Sequence, residues 1–136
     1  MKDIRDALDL FWNGFVNIQT NQPIPAWQNL RVPQNAPFPR IIYEIVTSPS
    51  RRNTLLSARI FDRRVTPGFI GVTDGVMEQA EERIPESGVV IETGTGTMTL
   101  YRATPFCQYM PADSDDPNAV QGIIRYEIRF RNRKNL

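Results

Sequence analysis

Ile4, Leu8, Phe11, Phe15 and Ile18 recur at steps of three and four residues, which lays one apolar stripe along a helix over residues 3–19. Asp3 is placed to cap that helix, and Asp6 lies in the first turn, where a carboxylate meets the positive end of the helix dipole. Gly14 weakens it slightly. Leu10 and Trp12 fall off the stripe, so the helix is expected to touch a second surface. The pattern then breaks. Residues 20–39 hold Pro23, Pro25, Pro33, Pro37 and Pro39, and each proline fixes its own φ, removes a backbone donor and pushes its predecessor toward extended structure. This predicts a stiff extended segment anchored by Ile24, Trp27, Leu30 and Val32, rather than a helix or a linker between domains.

Strand patterns follow. Residues 40–47 are rich in strand formers. A polar connection over 48–53 leads to a second strand at 54–63, which suggests an antiparallel hairpin. In that strand Leu56, Ala58 and Ile60 share one face, while Leu55, Arg59, Phe61 and Arg63 share the other. Thr66 before Pro67 is a helix start, and Phe69, Val72, Val76, Ala80 and Ile84 give the second helix, 66–84, its apolar stripe. Glu78, Glu81, Glu82 and Arg83 are expected to face away. Pro85 and Gly88 end the element. Strands at 89–93 and 97–104 pair through a turn at Gly94-Thr95-Gly96, and a polar loop fills 111–118. Residues 121–131 alternate most cleanly: Ile124, Tyr126, Ile128 and Phe130 against Arg125, Glu127, Arg129 and Arg131, a period of two with one buried face. The element order lacks regular βαβ alternation. It predicts an α+β fold: a mainly antiparallel β-sheet of about five strands with two α-helices packed on one face, in a single domain over residues 1–136.

Composition narrows the chemistry. The 136 residues contain no histidine, which removes Ser-His-Asp and Cys-His catalysis and His-ligated zinc. The single cysteine, Cys107, forms no internal disulfide and no thiolate cluster, and a free thiol fits a reducing cytoplasm. Sixteen Lys and Arg stand against fifteen Asp and Glu, so only a local patch would draw an anionic partner. No apolar run approaches the roughly 20 residues that span a bilayer, and the charged N-terminus lacks the apolar core of a signal peptide.

Individual signals have plain readings. Gly94-Thr95-Gly96 lacks the third glycine and the following helix of a dinucleotide loop, so it reads as a hairpin turn. Asp113, Asp115 and Asp116 lack the glycine and terminal glutamate of a calcium loop. They read as a solvated turn, with an acidic loop meeting a basic neighbour as the alternative. Arg125, Arg129, Arg131, Arg133 and Lys134 make the last strand and tail basic. That face either is solvated and protects the sheet from aggregation, or contacts another subunit, or faces nucleic-acid phosphate. Cys107 reads as a packing residue. Asp62 and Glu44 are the one carboxylate pair conceivable on adjacent strands, and no acid–base role is assigned to them.

Several strings together resemble the phage and prophage tail-terminator (tail-completion, head–tail joining) family. They are Pro37-Phe38-Pro39-Arg40-Ile41-Ile42-Tyr43, leading into the first strand; Ile60-Phe61-Asp62-Arg63 at the end of the second; the helix exit Ile84-Pro85-Glu86-Ser87-Gly88; and Leu100-Tyr101-Arg102-Ala103-Thr104-Pro105-Phe106-Cys107-Gln108, followed by an Asp-rich loop and Ile124-Arg125-Tyr126-Glu127-Ile128. The resemblance implies no catalysis and no cofactor. It implies a structural protein that assembles in the host cytoplasm as a ring, a homo-hexamer, and ends at the virion head–tail junction. Its partners would be sister copies, the tail tube protein, a head-completion or connector protein and DNA passing through the lumen, with no membrane and no small-molecule substrate. Candidate interface residues are Trp12, Trp27, Leu55 and Phe61 for lateral contacts, Arg51 and Arg52 opposite in sign to Asp113, Asp115 and Asp116, and the basic Arg125, Arg129 and Arg131. The alternative reading is a small nucleic-acid-binding module that uses the basic C-terminal strand.

Overall fold

A computed structural model describes residues 2–44, 54–63, 71–110 and 119–132. Helix α1 spans Lys2–Trp12. The short strands β1 (Val16–Asn17) and β2 (Gln22–Pro23) pair as an antiparallel ribbon. Then come β3 (Ala26–Gln28), β4 (Arg40–Tyr43), β5 (Thr54–Arg63), α2 (Gly71–Arg83), β6 (Val89–Glu92), β7 (Gly96–Met110) and β8 (Ala119–Asn132). The main sheet runs in the order β3-β4-β5-β8-β7-β6. Every neighbouring pair is antiparallel except β3 and β4, which run parallel. The fold is thus α+β with a largely antiparallel sheet, as the patterns predict. The sheet has six strands rather than about five because the proline segment contributes β3.

The expected alternation sets the register. Leu56, Ala58 and Ile60 stand opposite Tyr126, Ile124 and Gly122, and all of these are buried. Next to them Leu100 and Met98 of β7 face Ile128 and Phe130. Both helices lie on this side. From α1 come Ile4, Leu8 and Phe11, and from α2 come Val72, Val76 and Ala80, with Ile84 just beyond it. Each large aliphatic side chain buried here contributes about 1.5–3 kcal/mol of transfer free energy. The helix layer sits close to β8: a Cβ on Gly122 would lie 2.6 Å from Met77 Cε and 2.9 Å from Thr73 Cγ2.

Leu30, expected to anchor the proline segment, is 74% exposed, and β7 runs to Met110 rather than ending at 104. Three further expectations change. The first helix ends at Trp12 rather than running to 19, so Ile18 leaves the stripe and is 58% exposed. The cause is local. The Asn13 amide donates to the Asp9 carbonyl (2.9 Å) and to the Ala26 carbonyl (3.2 Å), and its Oδ1 accepts from the Ala26 N–H (3.0 Å). It closes the last turn of α1 and takes the place of a strand beside β3. Second, Trp12 is fully buried, not lateral. It stacks on Phe15 at 5.3 Å between centroids, meets Phe11 edge-on, and donates Nε1–H to the Tyr126 hydroxyl at 3.3 Å. Trp12 is the last residue of α1 and lies one turn after Leu8, so it joins the buried stripe, and Phe15, beyond the turn at Asn13, packs on it. Third, Arg83 does not face away. It donates to the Phe11 carbonyl at 2.8 Å and lies over the rings of Phe11 and Phe15.

Arg102 crosses from β7 to close the C-terminus of α2, donating Nε–H to the Ile84 carbonyl (2.6 Å) and Nη2–H to that of Glu81 (2.8 Å). A cation on the last carbonyls of a helix satisfies groups that the helix leaves open. The polar connection at 48–53, the Thr66-Pro67 start with Phe69, and the loop at 111–118 fall outside the described residues.

Candidate interaction surface

The face of the sheet turned away from the helices is the best-developed surface of the molecule. Pairing places Leu55 opposite Glu127, Ser57 opposite Arg125, Arg59 opposite Ile123 and Phe61 opposite Gln121. Along β7, Thr97 and Thr99 stand opposite Arg131 and Arg129. The sequence-derived residues Leu55, Phe61, Arg125, Arg129 and Arg131 therefore share one face. Leu55 is 62% exposed, Phe61 is half-buried, and Ile123, opposite Arg59, is buried. Arg125 donates to Gln108 Oε1 at 2.9 Å.

At the β4 end of this face the side chains form a shallow cleft of about 380 Å³, lined by Asn29, Ile42, Tyr43, Glu44, Ser57, Arg59 and Phe61. The Ser57 hydroxyl donates to Glu44 Oε1. Beside it Arg40 lies between two rings, 4.3 Å from the centroid of Phe38 and 5.4 Å from that of Phe61, and Arg63 lies 5.2 Å from Phe38. Arg40 Nη1 donates to the Ala36 carbonyl at 2.8 Å. Guanidinium stacking on aromatic faces helps to hold such a cation. This stack is absent from the sequence reading. Its signal was present, since Phe38 and Arg40 flank Pro39 and Phe61 falls opposite Arg40, but only the β4–β5 register brings the second ring in.

Other candidates fall elsewhere. Trp27 is half-buried and lines a separate cleft of about 170 Å³ with Asp6, Asp9, Gln28 and Arg31. Trp12 belongs to the core. Arg51, Arg52, Asp113, Asp115 and Asp116, like Arg133 and Lys134, lie outside the described residues. Asp62 and Glu44 do not pair: Glu44 engages Ser57, whereas Asp62 is registered with Val120, and burial pushes its carboxyl above the usual range. Cys107 packs against the core, and burial, aided by the Glu81 charge and opposed by Arg102, pushes its thiol up to about 11. A thiol so raised is protonated at neutral pH and a poor nucleophile. Gly94-Thr95-Gly96 is a hairpin turn, closed by Thr93 N–H to the Gly96 carbonyl at 2.8 Å.

Tyr43 and Tyr126 are both held well above the ordinary phenol range, chiefly by burial. Tyr43 donates its hydroxyl to Asp9 Oδ1 at 2.6 Å, and that carboxylate raises it further. These are structural hydrogen bonds tying α1 to the sheet. Among the described residues no three His, Cys, Asp or Glu side chains gather into a group able to hold a metal ion, and no helix is long and apolar enough to cross a membrane. The sequence matches no model of a known protein family, and no curated protein matches it either.

Proposed function

We propose that this chain is a structural subunit of a phage or prophage tail, which assembles as a ring on the end of the tail tube, stops its growth and offers a docking face for head completion. The observation that carries the reading is the sheet face that no described element covers. Leu55 is exposed there, on the same face as Phe61, Arg59, Arg125 and Arg129, while the helices pack on the other side. An apolar and basic face on a scaffold of this size suits contact with other chains, where aromatic and arginine side chains anchor and the charges set register. The family resemblance of the strand and helix-exit strings points the same way.

The test uses purified protein and tail tubes polymerised from tube subunits. Added protein is expected to bind tube ends and narrow the distribution of tube lengths seen by negative-stain microscopy. Tubes that grow unchecked in its presence would remove the reading. A second reading has one specific observation behind it: Arg59, Arg125, Arg129 and Arg131 share one face of adjacent strands. In that case the face binds nucleic-acid phosphate, and retention on DNA at low salt should fall steeply as salt rises. Absence of retention at low salt dismisses it.

A further inference from the structure

Along β8 the arginines occupy one face while Tyr126 and Phe130 pack on the other, so no aromatic ring lies among them on that strand. Strand register changes this. Phe61 of β5 stands opposite Gln121, on the face of Arg125, and Arg40 of β4 stands opposite Phe61. The register brings Arg40, Arg59, Arg63, Arg125, Arg129 and Arg131 onto this face, against Glu44, Glu92 and Glu127. Six cations against three carboxylates stand out on a chain whose net charge is +1. Arg59, Arg129 and Arg131 are exposed. A polyanion is the partner that such a face attracts.

The cleft at the β4 end of the face offers more than a phosphate backbone needs. Its volume of about 380 Å³ lies within the roughly 300–1,000 Å³ common to small-ligand sites. Its walls are mixed: Ile42 and Phe61 are apolar, Arg59 is cationic, Asn29 and Ser57 are polar, and Glu44 is a carboxylate. The Ser57 hydroxyl donates to Glu44 Oε1, which steadies the carboxylate while its second oxygen keeps its acceptor capacity. A carboxylate at this position repels a phosphate and accepts from an N–H donor. The cleft therefore suits a flat, neutral group with an amino substituent, which meets the ring of Phe61 while the phosphates stay outside on the arginines. A nucleobase on a single strand has this chemistry. In a duplex each base is stacked between its neighbours and does not reach a recessed ring, whereas an unpaired base is free to splay onto an aromatic side chain.

We infer that this sheet face binds single-stranded nucleic acid, with one amino-bearing base seated against Phe61 and Glu44. This rests on the nucleic-acid reading of the face and names the form of strand that it takes. The experiment follows short labelled oligo-dC and oligo-dT strands, and a duplex of equal length, by fluorescence anisotropy at low salt, with thermal melting as the check on folding. Wild type should bind oligo-dC most tightly, since cytosine carries an amino group that thymine lacks. Phe61→Ala should weaken oligo-dC binding roughly tenfold through lost stacking. Arg59→Ala, an exposed change at the same cleft, should weaken it as well and carries this arm if Phe61→Ala melts early. Glu44→Gln should lose the preference for oligo-dC over oligo-dT, because an amide presents a donor as well as an acceptor, and a merely structural role for Glu44 would leave that preference in place. The inference is overturned by a duplex bound as tightly as oligo-dC, by equal affinity of wild type for the two single strands, or by a preference that survives Glu44→Gln in a folded protein. In each of those cases binding that still falls with salt leaves the phosphate reading standing. Absence of binding to all three probes at low salt removes both and leaves the tail-end reading untouched.

Discussion

Asn13 carries more structure than its exposed position suggests. One side chain ends α1 and satisfies both backbone groups of Ala26 on the edge of the sheet. Asn13→Ala leaves that edge N–H and C=O without partners, so unfolding in urea should show a loss of about 1–3 kcal/mol. Asn13→Asp should restore only the acceptor half of the arrangement and fall between the two. Cys107 gives a second prediction at this scale. Its folded value is raised from 9.0 to about 11, so the folded state holds the proton more tightly than the unfolded chain does. The stability this contributes is complete below pH 9 and is lost as pH rises toward 11. Comparing the pH dependence of urea midpoints for wild type and Cys107→Ala isolates it, because Tyr43 and Tyr126, also raised, titrate in both proteins. Alkylation of Cys107 in the folded protein near pH 8 should be much slower than in the unfolded chain.

Between elements, α2 packs closely on β8. At Gly122 an added methyl would overlap Met77 Cε at 2.6 Å and Thr73 Cγ2 at 2.9 Å. Gly122→Ala should therefore destabilise the protein by about 1–3 kcal/mol through overpacking. Met77→Ala opens space at the same place, so the double variant should lose less than the sum of the two single losses, as a thermal-melt double-mutant cycle would show. The elements themselves were readable from the alternation of β5 and β8 and from the α2 stripe, since burial of one face imposes a period that residue types record directly. The junction of α1 with β1 was not. Ile18 continues the helical spacing by chance, and the Asn13–Gly14 stop depends on Ala26, which is distant in sequence. Arg83 differs for a related reason: its charge suggests solvent, yet the rings of Phe11 and Phe15 and the Phe11 carbonyl, which it shares with the Gly14 N–H, offer it a partly buried seat.

For the whole molecule, both helices pack on one side of the six-stranded sheet, and no described element covers the side that carries Leu55, Phe61, Arg125, Arg129 and Arg131.

The sequence by itself determined the α+β class, both faces of β5 and β8 and the apolar stripe of α2, because each follows from a period of two or 3.6 along a single element, while the β5–β8 register put Leu55 and Phe61 on the face of Arg125, Arg129 and Arg131. Only the tertiary structure decided that a proline-rich stretch supplies a parallel edge strand, that Trp12 is core, and that Arg40 and Arg63 both lie against the ring of Phe38. Those features depend on strand order and on partners far apart in the chain, and local periodicity carries no record of either.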